Sequence, residues 1–403
     1  MNRLFTTFVP FLLPISLFSY AEIPGLTPEK NWNLGGYVKY MASSTIPNSS
    51  SESSSFDNLI HQRFNFEYRF NDELRVNLGM RNRLMFGDTA RYANYGDFIS
   101  YDSGYVDLSK NWIDKNGVVG NSQFDRAYIN WSQDDWQLRA GRFRINWGMT
   151  TVWNPNDIFN SYSIYDFDYE ERPGSDALMV TKNLGFASSV NVVINPNKDS
   201  GLNSYASRYL FNNQGWDMQL LLGKSHLDYV IGAGFAGDIY GAGLRGEFSW
   251  FEPTQRYYQN EELTASSVSS LEMDYSINSS ANWAIQGSVM YISEPQDVEN
   301  TVSYLNLPLT ARTLSFTHWT WYSSIGFDTS ALNRVMLIGT YYDDGSYFIG
   351  MNNTYSLADN WQLLGVVQYF DGSTDSVFGE NPNTLLYAQV KWSFKNERLC
   401  SFY

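Results

Sequence analysis

The sequence has few of the residues that build disulfides and metal sites. One cysteine, Cys400, is present among 403 residues, which excludes an intramolecular disulfide framework and any metal site made of several cysteines. The three histidines, His61, His226 and His318, lie far apart in unlike contexts, and isolated histidines of this kind are usually structural. The sequence therefore predicts no metal site and no cofactor.

Long apolar runs are also missing, except at the N-terminus. Residues 4–18 are apolar, follow a short basic start and precede small residues that end at Ala21. This pattern predicts a signal peptide over residues 1–21, and hence export from the cytoplasm. A membrane anchor is the weaker alternative, because two prolines interrupt the run. No later run approaches the roughly 20 apolar residues of a spanning helix.

Positive charge is scarce relative to negative charge. Lys and Arg number 27 against 42 Asp and Glu, for a net charge of -15. This balance argues against nucleic acid as a partner, because nucleic acid attracts basic surfaces. Aromatic residues, by contrast, make up 17% of the chain. An exported, aromatic-rich chain without spanning helices is typical of a transmembrane β-barrel, which has outer-membrane lipid as a partner.

Polar and apolar residues alternate clearly over residues 61–86. Every second position from Phe64 to Phe70 is aromatic, and the alternate positions from Arg63 to Arg69 are polar or charged. After a short turn, the next strand again has one apolar and one arginine-bearing face. In a soluble sandwich the apolar face would form the core, whereas in a barrel it faces lipid and the polar face lines the lumen.

The lengths of the connections distinguish these two architectures. Short turns are predicted at residues 71–73, 134–135, 183–185, 214–215, 237–238, 278–281, 330–333 and 358–360. Long connections are predicted at residues 43–57, 87–121, 147–175, 196–203, 252–263, 293–311 and 371–383, and two short exceptions lie near Ser225 and at 343–345. Short turns at one end and long loops at the other are typical of outer-membrane barrels.

The prediction is therefore an all-β fold in residues 22–394. It is a transmembrane, antiparallel, up-and-down β-barrel of about 18 strands, with roughly 16 to 18 as the range. The long loops are expected to be extracellular, and the short turns and both termini periplasmic. The strand count depends on residues 87–121, which could hide a hairpin.

Aromatic residues also mark the ends of the expected wall. A tryptophan follows each of four short turns, where a periplasmic girdle is expected. These residues are Trp136, Trp216, Trp283 and Trp361. The last strand ends at Phe394 and resembles the C-terminal signal by which outer-membrane barrels are recognised for insertion. Residues 395–403 continue past it as a predicted C-terminal tail.

Half of the arginines in the chain fall on four consecutive predicted strands. They are Arg63, Arg69, Arg75, Arg81, Arg83, Arg126, Arg139, Arg142 and Arg144. Alternation places most of them on the lumen-lining face, and a bulge near Gly141 is expected to turn Arg142 and Arg144 inward as well. Guanidinium groups favour anions such as carboxylates or phosphates. The acidic net charge does not by itself predict this preference.

The connection over residues 147–175 is long, aromatic and acidic, and loops of this length are usually functional or disordered. Its acids, together with the one that follows, are Asp157, Asp166, Asp168, Glu170, Glu171 and Asp176. We expect the loop to fold into the lumen and face the arginines, which would narrow the pore and set a field across it. The alternative is that the two sets of charges only neutralise one another and hold the loop in place.

The sequence around this loop resembles one class of proteins. The loop motif consists of Trp147, Gly148, Trp153, Asn154, Pro155 and Asp157. Together with the preceding Gly141 and Arg142, it resembles the bacterial outer-membrane porin-like barrels of the alginate-export and phosphate-selective porin type and related barrels. The resemblance implies a passive channel and identifies no substrate. By analogy it assigns a basic pore to Arg142 and Arg144.

The expected function is an outer-membrane channel in a Gram-negative bacterium, for passive diffusion of small hydrophilic solutes that could include anions. The alternative is a closed barrel whose extracellular loops bind a partner or surface, as an adhesin does. An outer-membrane hydrolase is less favoured because none of the histidines lies near a recognisable nucleophile motif, so no enzyme activity is predicted. The sequence leaves the oligomeric state, monomer or trimer, open.

Overall fold

The computed structural model describes residues 30–48, 53–168, 170, 172–298, 300–306 and 309–395. The predicted signal peptide and the tail beyond Lys395 lie outside these ranges. The unit that contains the barrel begins at Trp32. No helix within the described ranges is long and apolar enough to cross a membrane.

The described residues are mainly strands. In chain order these are β1 (Trp32–Pro47), β2 (Ser55–Arg69), β3 (Leu74–Gly87), β4 (Ser109–Lys115), β5 (Val118–Gln133), β6 (Trp136–Phe143), β7 (Ser175–Gly185), β8 (Ser188–Asn195), β9 (Ser204–Asn213), β10 (Trp216–Ser225), β11 (Asp228–Ile239), β12 (Ala242–Pro253), β13 (Tyr257–Tyr258), β14 (Glu261–Glu262), β15 (Ser266–Ile277), β16 (Trp283–Ile292), β17 (Trp319–Ser330), β18 (Asn333–Tyr342), β19 (Ser346–Ala358), β20 (Trp361–Gly372) and β21 (Asn383–Lys395). The connections carry the short helices α1 (Tyr95–Ser100), α2 (Thr301–Asn306) and α3 (Val377–Glu380), and the 3-10 helices Thr89–Arg91 and Ser200–Leu202.

Eighteen of these strands form a closed antiparallel barrel, as predicted. The wall consists of β1–β3, β5–β12 and β15–β21, and each strand pairs with its neighbours in the chain. The first and last strands close the ring, with Tyr40 opposite Val390 and Ala42 opposite Ala388. Closure satisfies the backbone hydrogen bonds of both end strands, which an open sheet in lipid could not do.

Side chains alternate between the two faces of the wall. On β10, Leu221 is 2% exposed, whereas Leu220 and Leu222 on either side are 54% and 65% exposed. On β2, His61 and Arg63 point inward and are buried. The outward residues form the apolar band that lipid requires, and the inward residues include most of the polar side chains of the wall.

Short turns lie at one end of the barrel and longer connections at the other, as predicted. Three positions differ from the sequence prediction. The connection before β17 runs to residue 318 rather than 311, because β17 begins at Trp319. The first long loop is shorter than residues 43–57, because β1 and β2 remain paired as far as Thr45 and Ser55. The turn after β11 lies at Tyr240 and Gly241, whose φ angles of 54° and 86° suit a tight hairpin.

Two further sequence features have clear places in the barrel. Trp136, Trp216, Trp283 and Trp361 are the first residues of β6, β10, β16 and β20, directly after short turns. Residues 87–121 contain the hairpin that the sequence left open. There β4 pairs with the start of β5, from Lys115 opposite Val118 to Ser109 opposite Gln123. Because β6 pairs only with the later part of β5, β4 takes its place beside the first part.

Candidate pore constriction

The connection between β6 and β7, residues 144–174, folds into the lumen and is called the inward loop below. Trp147, Trp153 and Ile158 of this loop are at most 3% exposed. They join one hydrophobic cluster with inward residues of β7–β12, β15 and β16. Apolar side chains of the loop therefore replace water along this side of the lumen, and the hydrophobic effect holds the loop inside.

Glu247 of β12 binds the backbone of the inward loop. Its Oε1 atom accepts the N–H groups of Met149 and Thr150, the latter at 2.8 Å. Its Oε2 atom accepts the N–H group of Asn156 at 2.9 Å. A buried carboxylate needs hydrogen-bond donors, and N–H groups in an irregular segment need an acceptor. Each partner satisfies the other, which fixes the path of the loop.

Glu272 of β15 binds the next part of the loop in the same way. Its Oε2 atom accepts the N–H groups of Thr151 at 2.8 Å and Val152 at 3.0 Å, and its Oε1 atom accepts the Thr151 hydroxyl at 2.9 Å. Arg245 of β12 lies 3.0 Å from Glu272 and balances its charge. Hydrogen bonds to charged groups are about twice as strong as neutral ones. The two glutamates therefore anchor the first half of the loop.

The predicted loop motif lies in this anchored half. Its members are Trp147, Gly148, Trp153, Asn154, Pro155 and Asp157, and all except Gly148 are buried. Asn154 donates to the Thr150 carbonyl at 2.9 Å, and a side chain at Gly148 would collide with Asn154. Ser249 of β12 donates to the Pro155 carbonyl at 2.9 Å. These residue types therefore shape the turn of the loop and attach it to the wall.

The second half of the inward loop reaches another part of the wall. Tyr165 packs edge-on against Phe348 of β19 and Phe370 of β20, with ring centroids 4.6 Å and 5.3 Å away. Asp168 forms an ion pair with Lys39 of β1 at 2.7 Å, and the same lysine donates to the Asp168 carbonyl at 2.8 Å. The loop therefore crosses the lumen from β12 and β15 to β19, β20 and β1.

A cavity of about 490 Å³ remains between this second half and the wall formed by β1–β3. Asp166 and Asp168 line it on the side of the loop, and Arg81 and Arg83 line it on the side of the wall. His61 of β2 lies beside the arginines. Groups of opposite charge thus face the same small space.

The other predicted arginines mainly contact neighbours on the wall. Arg63 makes two hydrogen bonds to Asp125, at 2.6 Å and 2.9 Å, and both residues are buried. Further contacts run from Arg81 to Gln123 at 3.1 Å, from Arg83 to Asn121 at 3.1 Å, from Arg69 to Glu67 at 2.7 Å and from Arg126 to the Arg172 carbonyl at 2.5 Å. Arg75 is in register with Arg69, and Arg139 lies over the rings of Tyr128 and Phe143.

Arg142 differs from the sequence prediction. Gly141 has a φ of 116°, but β6 keeps its register with both neighbours, so the expected bulge is absent here. Phe143 takes the inward position, and Arg142 is on the outward face. Its guanidinium binds Asp176 at 2.7 Å and 2.8 Å and Asp102 at 2.6 Å. This buried triad ties the connection after β3 to the wall, and Arg142 does not line the pore.

Asp157 is the most enclosed of the predicted acids. It is 0% exposed, and neither carboxylate oxygen has a hydrogen-bond partner among the described residues. Burial raises its pKa to about 7, while the charge of Arg144 opposes this rise and that of Glu247 adds to it. Arg144 lies beyond the end of β6, with its guanidinium 5.8 Å from the ring of Tyr162. Both residues belong to the packing of the loop.

The six predicted acids therefore separate into different environments. Asp166 and Asp168 face the cavity, and Glu170 binds Lys391 at 3.2 Å. Asp176 belongs to the triad, Asp157 is enclosed, and Glu171 lies outside the described residues. The described residues contain no group of three or more His, Cys, Asp or Glu that could hold a metal ion.

His61 has an environment that its sequence context did not predict. Its ring is 2% exposed and edge-on to Tyr37, with centroids 5.4 Å apart. Neither ring nitrogen has a hydrogen-bond partner in the described part of the chain. The charges of Lys39, Arg81 and Arg83 lie close to it. The only signal in the sequence was its inward position on a strand that carries Arg63.

Comparisons with known proteins bear on the fold of the chain and not on the individual contacts of the inward loop. No family model matches the sequence, and no curated protein is significantly similar to it. OccAB3 of Acinetobacter baumannii aligns with a TM-score of 0.59 at 8% identity, over 91% of this chain and 100% of that chain. OpdQ of Pseudomonas aeruginosa gives 0.56 at 9% identity, over 91% and 100%. The outer membrane protein OprD from Pseudomonas aeruginosa gives 0.57 at 8% identity, over 91% and 94%.

The fold is that of the OprD and Occ porins. It confirms the predicted porin-like barrel, and its apolar outer wall agrees with the predicted outer-membrane localisation. At 8–9% identity the similarity to these structures supports the architecture of the barrel and does not identify a solute. The inward loop and its contacts are therefore described from this chain alone.

Proposed function

We propose that the chain is a passive channel of the Gram-negative outer membrane for small hydrophilic solutes. The shared fold of the OprD and Occ porins supports this proposal. The observation that carries it is the cavity of about 490 Å³, where Asp166 and Asp168 of the inward loop face Arg81 and Arg83 of β3. Charged side chains around a narrow passage are how pores select among solutes.

The preferred solutes in this proposal carry an anionic group. Arg81 and Arg83 present guanidinium groups, whose planar set of donors matches a carboxylate or a phosphate. Lys39 of β1 lies on the same inward face as Arg83, with His61 between them in register, and its charge is already paired with Asp168. Asp166 and Asp168 lie opposite the arginines, so the electric field runs across the passage. The proposed anion preference therefore depends on the arginine side of the passage and not on the net charge of the chain.

Recording from the purified protein in planar bilayers tests both parts of the proposal. We expect discrete conductance steps and, under a salt gradient, a reversal potential that indicates anion preference. Replacing both arginines, Arg81→Gln with Arg83→Gln, should move the reversal potential toward cations. The control Arg256→Gln changes an exposed arginine in the connection between β12 and β15 and should have little effect. Absence of conductance steps would overturn the proposal of a channel. A native pore that prefers cations would overturn only the proposed anion preference.

A closed barrel that binds an external partner is the second candidate. It is favoured by the amount of lumen that the connections fill. Besides the inward loop, the connections that carry α2 and α3 place Tyr304, Phe316 and Phe378 in a second buried aromatic cluster with Tyr342 and Phe370. A barrel of this kind would show no conductance steps, so the same recording separates the two candidates.

We propose no enzyme activity. His226 lies 3.3 Å from the hydroxyl of Ser225, but this hydroxyl donates to the Ile158 carbonyl at 3.1 Å. His318 is bonded to the Ile292 carbonyl at 3.0 Å. Neither arrangement resembles a serine activated by a histidine that a third group orients. The OprD and Occ porins are also not enzymes.

A further inference from the structure

The two ends of the inward loop each carry an arginine, Arg144 at the start and Arg172 near the end. Both guanidiniums lie against the ring of Tyr162, which belongs to the same loop. The Cζ atom of Arg172 is 3.6 Å from the ring centroid, and that of Arg144 is 5.8 Å from it. One aromatic ring therefore contacts two like charges. We call these three residues the loop-base cluster.

The arginines of the loop-base cluster have unused hydrogen-bond donors. The Nε atom of Arg144 and the Nη1 atom of Arg172 are buried and have no hydrogen-bond partner among the described residues. The ring of Tyr162 attracts a cation, but this contact provides no oxygen acceptor for the N–H groups. Because a buried donor without an acceptor is costly, the cluster is incomplete without an acceptor.

The nearby acids do not balance the charge of the loop-base cluster. Asp157 interacts with Arg144 and also with Arg208 of β9, so one carboxylate serves two guanidiniums. Its oxygens form no hydrogen bond to either arginine. Asp166 interacts with Arg172, but it also faces the arginines of the cavity. Positive charge is therefore in excess at the base of the loop.

The loop-base cluster is accessible from the lumen. Arg144, Tyr162 and Arg172 are all partly exposed. None of them lines the cavity of the proposed passage. A ligand that contacted both arginines would join residues 144 and 172, and hence the two ends of the inward loop.

We propose that Arg144 and Arg172 bind a small oxyanion from solution, such as phosphate or sulfate, and that this anion ties the two ends of the inward loop together. The forked donors of guanidinium match the oxygens of such an anion. The anion supplies both the acceptor and the negative charge that the cluster needs. Tyr162 is a positioning residue, because its ring contacts both guanidiniums while its hydroxyl donates to the Thr151 carbonyl at 3.2 Å.

Thermal unfolding of the full-length protein in detergent micelles tests this inference. Phosphate or sulfate is titrated against chloride at constant ionic strength. A ligand that binds only the folded state raises the Tm in a saturable manner. We expect this rise for the native protein and its loss when Arg144→Gln and Arg172→Gln are combined. Exclusion of these salts from the protein surface also raises the Tm, but it acts on every variant and does not saturate.

Arg139→Gln is the matched control. Arg139 is also partly buried and lies over the rings of Tyr128 and Phe143, but its Nε atom donates to Asn130 at 3.4 Å. This variant should retain the saturable rise in Tm. Heat-modifiable migration on a gel checks that every variant has folded as a barrel.

Equilibrium dialysis with radiolabelled phosphate measures the binding directly. We expect one phosphate per native chain and none per chain of the double glutamine variant. If the glutamine variants do not fold, Arg144→Lys with Arg172→Lys keeps both charges without the forked donors and should lower the affinity for phosphate. A native chain that binds no phosphate, or unchanged binding in the folded arginine variants, would overturn the inference. Neither measurement depends on conductance, so the result is independent of the proposed channel.

Discussion

The carboxylate of Glu247 accepts the backbone N–H of Asn156 at 2.9 Å, across 91 residues of sequence. Because Glu247 also accepts the N–H groups of Met149 and Thr150, one side chain of the wall holds both ends of the same turn. The position of the inward loop thus depends on a residue of β12. The width of the passage then depends on how firmly this turn is held.

Glu247→Ala should loosen the inward loop. The change leaves the N–H groups of Met149, Thr150 and Asn156 without this acceptor, and each unsatisfied buried group costs about 1–3 kcal/mol. We expect larger and noisier single-channel conductance than in the native protein, with Glu247→Gln between the two because one acceptor oxygen remains. Glu252→Ala, at an exposed position on the same strand, is the control. Equal conductance for all four proteins would mean that the glutamate does not hold the constriction.

Much of the barrel could be predicted from the sequence because its two faces meet different solvents. Lipid selects apolar residues and the lumen tolerates polar ones, so the alternation from Arg63 to Phe70 indicated both the strand and its facing. Turn and loop lengths then gave the strand count. Boundaries were less predictable, because the pairing of β1 with β2 continues through a polar, serine-rich segment to Thr45.

The contacts of the constriction could be predicted only in part. Loop length and aromatic content suggested an inward fold, but Glu247 and Glu272 are far from the loop in sequence, and no local pattern links them to it. The only sequence sign of a buried role for these glutamates was that each is an acid at an inward strand position. Arg245 is the one arginine on their two strands. Arg142 was misplaced because β6 keeps its register past Gly141, so no bulge turns this residue inward. Its partners Asp102 and Asp176 are distant in sequence, and no local pattern links them to it.

Arg142→Ala should destabilise the barrel without changing its selectivity. Removing the cation leaves Asp102 and Asp176 buried and unpaired, and breaking a buried ion pair in this way costs about 3–5 kcal/mol. The free energy of unfolding in urea with lipid present measures this loss. Arg91→Ala removes an exposed pair with Asp88 and should cost under about 1 kcal/mol. A shifted reversal potential in folded Arg142→Ala would instead place this side chain in the pore.

Lys39→Met should affect both gating and selectivity. Lys39 is almost fully buried and holds Asp168 through its carboxylate and its carbonyl. Without the lysine, the second half of the loop loses an anchor and an acid beside the cavity becomes unpaired. We expect more current noise and a reversal potential shifted toward cations. Lys110→Met, at an exposed site on β4, controls for the loss of charge alone. An unchanged reversal potential would argue against a role for this pair at the constriction.

Asp157→Asn should stabilise the protein in a manner that depends on pH. The pKa of Asp157 is raised from its usual 3.8 to about 7, chiefly by burial, with Arg144 opposing and Glu247 adding to the rise. A raised carboxyl pKa means that the folded protein binds the proton more tightly than the unfolded chain, so stability falls as pH rises between these two values.

The stabilisation by asparagine should therefore be absent near pH 4, grow by at most about 1.4 kcal/mol per pH unit and level off above pH 7. Unfolding free energies of the native protein and the variant between pH 4 and 8 measure it. Asp72→Asn, in the exposed turn after β2, should show no such trend. A constant difference between Asp157→Asn and the native protein at all these pH values would show that Asp157 is ionised in the folded barrel, with Arg144 as its compensating charge.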